Sequence, residues 1–196
     1  MTARGVVVSL TPDEIADRAR RLGDPSFVAG YYLLQEHNGG KDPTAADPFD
    51  RWSKPGSTFV NRTADCIGGA SWCAGFDRYQ PVRFAHLYDG WINTDSMLED
   101  ANGPAKCFAV LDAPVAGCFL VAPTGAPGFV ECGHIITIHT VPADFAIDSY
   151  ASWQALRGTD VAMLGAGVRA NTTHDATWWF AARHQGAKFV RSVMTP

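Results

Sequence analysis

The spacing of apolar and polar residues changes period about halfway along the chain. In the first half the spacing is helical. Ile15, Ala19 and Leu22 recur on one face, Thr11-Pro12-Asp13-Glu14 supplies a cap and a favourable first turn, and Gly23 closes the segment. Residues 26–36, SFVAGYYLLQE, are a second apolar segment predicted to be helical. Residues 37–57, rich in Gly, Pro and Asp, predict a long surface loop, either bordering a groove or simply an exposed insertion. From 66 to about 76 the run is small and apolar, which predicts a buried central helix with Cys66 and Cys73 on one face and Trp72 and Phe76 as its bulk. Residues 88–101 predict a turn and a short helix capped at Thr94 or Asp95, with Ser96, Glu99 and Asp100 facing solvent.

The second half alternates with period two. Strands are expected at 106–111, 118–122, 130–141 and 145–150, with turns at Pro114–Gly117 and at Pro142–Asp144. Residues 151–164 predict a helix and turn, and 165–170 an edge strand or loop. Residues 172–184 predict a helical or extended piece, and 188–194 a strand that closes the sheet. A helical half followed by an antiparallel sheet is an α+β domain. One domain over 1–196 is expected, with an N-terminal extension to residue 58, a core at 59–150 and C-terminal elements from 151.

Composition narrows the function classes. The chain has 196 residues and a net charge of −4, with no Lys/Arg-rich run, which argues against a nucleic-acid partner. Arg18, Arg20 and Arg21 read as the solvated face of a short helix. Every apolar run is interrupted by Asp, Gly or Pro, so membrane insertion is not expected, and no signal peptide is recognised at the N-terminus. A soluble protein follows, either cytoplasmic or delivered to the cell wall by another route; oligomeric state is not legible. Five cysteines, an odd number, predict small buried hydrophobes and at least one free thiol, not a disulfide framework. No cofactor motif is present, and none is expected.

Candidate chemistry begins at Cys66. A thiol at a helix N-terminus faces unpaired backbone N–H groups and the positive end of the helix dipole, which favour a thiolate nucleophile. Such a nucleophile needs a base. His134 follows Gly133 at the start of a β-branched strand, a rigid mount for an imidazole. A third polar group should orient the ring. Asp148, on the strand expected next, is the first choice, with Asp144 and His139 as the others.

Asp65-Cys66 opening a small-residue helix resembles the D-C-x-G signature of the NlpC-type and CHAP superfamily of papain-like cysteine cell-wall hydrolases. Residues 114–138, PVAGCFLVAPTGAPGFVECGHIITI, resemble that group's P-G-D-L-V…G-H-V-x-I strand pair. The resemblance implies a papain-like fold with a helix packed on an antiparallel sheet. It also implies amide hydrolysis, with peptidoglycan or another amide as substrate, Cys66 as nucleophile, His134 as base and Asp148 in the orienting position. Gly68-Gly69 stands where the family has a single Gly, and Cys118 where it generally has Asp. The upstream tyrosine that often completes the oxyanion hole has no counterpart, the nearby aromatics being Trp52 and Phe59.

Competing readings are plainer. Cys66 is otherwise a buried structural thiol, His134 a satisfied strand-end histidine, and Asp148 a turn or cap residue. Cys66, Cys73, Cys132 and His134 form a metal-ligand set whose spacing suits structural zinc poorly. Trp153, Trp178 and Trp179 either line a sugar-binding surface or pack the core. The alternative to an enzyme is a non-catalytic binding or structural module of the same fold, such as a phage or secretion-particle component.

Overall fold

A computed structural model describes residues 5–24, 30–31, 39–53, 60–85, 88–104, 107–126, 133–161, 168–169 and 176–196. Helix α1 (Pro12–Leu22) starts as its sequence dictates: Thr11 Oγ1 accepts from the Glu14 N–H and the Glu14 carboxylate accepts from the Thr11 N–H, a reciprocal capping box. Of the segment expected to be a second helix, the described residues Gly30–Tyr31 form a short strand, β1, which pairs in parallel with β3 (Val60–Ala64). Part of the expected surface loop is likewise a strand, β2 (Asp50–Ser53), antiparallel to β3. In the first segment the period of a short apolar run does not distinguish helix from strand, and in the second the polar composition masks a strand. In both, pairing with β3 decides.

Helix α2 (Cys66–Cys73) is buried along its whole length, as its small residues predict. Helix α3 (Thr94–Asn102) is capped by Asn93, one residue before the expected cap. Ser96 and Asp100, expected to face water, are buried. The Ser96 hydroxyl completes the Asn93 capping box, and the Asp100 carboxylate accepts the N–H groups of Cys107 and Phe108 at 3.0 and 2.8 Å. A buried acid that satisfies backbone donors at a strand entrance cannot be distinguished from a surface acid by periodicity alone. Glu99 is exposed, as expected.

Six strands form the main sheet: β4 (Phe108–Leu111), β5 (Phe119–Ala122), β6 (His134–Thr140), β7 (Arg157–Val161), β8 (Val168–Arg169) and β9 (Lys188–Ser192). Their order is β4-β9-β5-β6-β7-β8, and every pairing is antiparallel. The C-terminal strand β9 is therefore internal, between β4 and β5. The fold is α+β.

Alternation along the strands sends their side chains into two cores. Phe119, Val121, Ile135 and Val190 join Ile67, Met97, Phe76 and Phe108 on the side of α2 and α3. Leu120, Ile136, Ile138 and Phe189 join Trp153 and Trp179 on the other side, where α4 (Tyr150–Ala155) and α5 (Ala176–Ala182) lie. Burial on both faces explains why β5 reads as an unbroken apolar run and why His134, Thr137 and His139 of β6 are buried along with its isoleucines. The segment expected as a strand at 145–150 is a turn leading into α4. Ser149 caps that helix, and Phe145 packs on Trp153 and Phe189 at centroid separations of 5.8 and 5.9 Å. No helix among the described residues is long and apolar enough to cross a membrane.

Candidate active site

Cys66 is the first residue of α2, and its surroundings fix that helix end tightly. The Asp65 carboxylate caps the helix by accepting the Gly68 N–H at 2.6 Å. The same carboxylate is held by Arg78 Nη1 at 2.7 and 2.8 Å, in a pair almost wholly withdrawn from water. The loop at Gly39–Gly40 lies against the helix. A Cβ added at Gly40 (φ +66°) would stand 2.5 Å from the Gly68 carbonyl oxygen and 2.9 Å from the Gly68 Cα. That contact gives Gly68, the first residue of the unusual double glycine, a packing reason.

His134 opens β6 on the far side of the same site. Gly133 before it must be glycine, because a Cβ there would lie 2.1 Å from Thr94 Oγ1 and 2.5 Å from the Ala122 carbonyl oxygen. The His134 ring is buried, and its face stacks on Trp179 at 6.1 Å. Its Nε2 lies 2.7 Å from Asp160 Oδ1, an ion pair from which water is excluded. Asp160 stands opposite Ile136 in the β6–β7 register, so it shares a sheet face with His134, one diagonal step away.

Burial by itself opposes a charge on the imidazole. The Asp160 charge and hydrogen bond, with Cys66 adding a weaker hydrogen-bond and charge interaction, outweigh that and raise His134 to about 10. The ring thus stands between a thiol and a carboxylate. Two other thiols are different in kind: burial pushes Cys73 and Cys118 up to about 12, where almost no thiolate exists at neutral pH. Cys73 also hydrogen-bonds to Thr137 and packs with Trp72, Ala19 and Leu22.

Of the residues chosen from sequence, Cys66 and His134 come together and Asp148 does not. Asp148 lies in the turn before α4, with 86% of its side chain exposed and Arg183 Nη2 at 3.5 Å. Asp144 is exposed in the preceding turn. His139 faces the α1 side of the sheet. It is buried and held at Thr140 Oγ1 (3.0 Å), and burial, Arg20 and Arg157 lower it. The carboxylate that reaches the His134 ring is that of Asp160, within a segment expected to be helix and turn. One signal pointed there: Thr159-Asp160-Val161-Ala162-Met163 sets a lone acid in an apolar run, and a buried acid requires a partner. Trp153 and Trp179 are fully buried core, and half-buried Trp178 packs edge-on against Trp179 at 4.4 Å. Cys132 and Phe59 lie outside the described residues, as does the Trp52 side chain. Searched against family models, curated proteins and solved structures, the chain matches none.

Proposed function

We propose that the chain is a cysteine hydrolase, an amidase or endopeptidase that cleaves amide bonds through an acyl-enzyme. The observation that carries this reading is that His134 engages Cys66 and Asp160 at once. Nε2 is committed to Asp160, which leaves Nδ1 to serve the thiol. With the Cys66 proton held on Nδ1, the sulfur attacks the amide carbon while the imidazolium stays beside it as the acid. The N–H of Cys66, in the first turn of α2 where backbone donors have no intrahelical acceptor, supports the oxyanion. His134 then protonates the leaving amine and, as base, activates the water that releases the acid. Asp160 holds the ring's orientation and stabilises its charged form.

The order of cysteine and histidine, the helix-mounted thiol and the strand-mounted imidazole fit the NlpC/CHAP resemblance and its papain-like fold. Peptidoglycan is the substrate class that the resemblance favours. Cys66→Ala is expected to abolish release of soluble fragments from purified peptidoglycan while leaving the circular-dichroism spectrum unchanged. Undiminished hydrolysis by the variant would sink the assignment. Thiol reactivity gives a second test. Iodoacetamide at neutral pH should alkylate Cys66 well before Cys118, and equal rates at the two would remove the nucleophile.

A further inference from the structure

The sheet face that carries His134 also borders a cavity of about 310 Å³, backed by the buried side chains of Leu120, Trp153 and Phe189 and lined by half-buried Leu111 and exposed Ile147. The cavity is reached along the chain from Trp179: α5 ends and Arg183 follows at its lip. Arg183 is preorganised. Its guanidinium lies 3.5 Å over the Phe180 ring, and Nη1 donates to the Phe180 carbonyl oxygen. Its ionic partner is poorly engaged, since Asp148 Oδ1 stands 3.5 Å from Nη2 and its side chain is 86% in water. An ion pair that long and that exposed is displaced at little cost.

We propose that this cavity binds a small organic carboxylate with an apolar body, such as the C-terminal end of an apolar peptide. The ligand carboxylate replaces Asp148 on Arg183, and its apolar part lies against Leu111 and Ile147. A planar guanidinium held by stacking on one side suits a carboxylate. Asp112 and Asp148 are offset in the lining by Arg183, Lys188 and His184, so an anionic group is accepted there. Covering Leu111 and Ile147 supplies affinity from apolar burial that a bare inorganic anion cannot use. The proposal stands apart from the hydrolase reading, because it concerns binding and uses neither Cys66 nor His134.

The test titrates the intact protein with N-acetyl-leucine and N-acetyl-leucinamide, read by the Trp153 indole N–H resonance and by calorimetry. The acid should bind saturably and the amide about tenfold or more weakly, as for loss of one charge-assisted hydrogen bond. Arg183→Gln should bring the acid down to the level of the amide. Asp148→Asn should bind the acid several-fold more tightly, because the internal competitor for Arg183 is gone. Asp148 is exposed, so this variant keeps its fold and decides the matter even if Arg183→Gln is unstable. Absence of saturable binding, equal affinity for acid and amide, or unchanged or weaker binding in Asp148→Asn overturns the proposal.

Discussion

The His134–Asp160 pair sets the pH behaviour of the molecule. Its imidazole keeps a proton to about pH 10 in the folded chain, against an ordinary value of 6.5. A raised folded value means that the stabilisation is complete below about pH 6.5 and is lost as pH rises through about 10. Wild-type denaturant stability should therefore decline across that window, and Asp160→Ala should remove the decline. At pH 7 the same substitution should cost about 3–5 kcal/mol, the usual consequence of stranding one member of a buried pair. Urea unfolding of both proteins between pH 6 and 10 checks slope and magnitude together. A wild-type curve that is flat over the range would mean that Asp160 does not hold the proton on His134. Asp148→Ala, by contrast, should leave pH 7 stability within about 0.5 kcal/mol, as for most exposed positions.

Among the elements, the entry to β6 is the tightest joint. Ala122 is the register partner of His134 on β5, and Gly133 passes so close to the Ala122 carbonyl and to the Thr94 side chain that backbone as well as side chain blocks any Cβ. Gly133→Ala should cost about 1–3 kcal/mol through overpacking and should also shift His134 away from Cys66. The measurable outcome is a lower Tm together with slower alkylation of Cys66. Loss of stability with an unchanged alkylation rate would show that the strand end relaxes without carrying the ring. Much of this level was legible in the residues. The Thr11 cap, the first turn of α1, the start of α2 at Cys66 and the alternation of β6 are all local signals, and they read correctly because caps and periods act within a few residues. The turn before α4 misled because Phe145, Ile147 and Tyr150 are residue types that favour strands. Its bulky Phe145 is instead drawn into the Trp153–Phe189 cluster, and Ser149 then has a helix to cap.

At the scale of the molecule, one sheet separates two cores, and the two should respond independently. Trp153 is fully buried and stacks on Phe189 at 5.3 Å, on the side away from α2. Trp153→Ala should cost about 3–5 kcal/mol and lower the midpoint of unfolding, while Cys66 alkylation in the folded variant stays near its wild-type rate. A parallel fall in alkylation would mean that the cores are coupled through β6. The site itself crosses this partition: Cys66 comes from the α2 side, whereas Asp160 and Trp179 belong to the opposite face. The acid that meets His134 also comes from beyond residue 150, past the core expected from sequence.

The residues alone determined that the chain is α+β, that a cysteine opens a buried helix and that a histidine opens a β-branched strand. Each rests on contacts between near neighbours in the chain. Which acid meets the histidine, which acids are buried and where β9 enters the sheet were decided by the tertiary structure alone. Asp160 lies 26 residues from His134, and the two meet because the β6–β7 register places them diagonally on one face. That register follows from packing both faces of the sheet at once. No local pattern encodes it, which is why Asp148, close in sequence and plausible in kind, lies in water while Asp160 holds the ring.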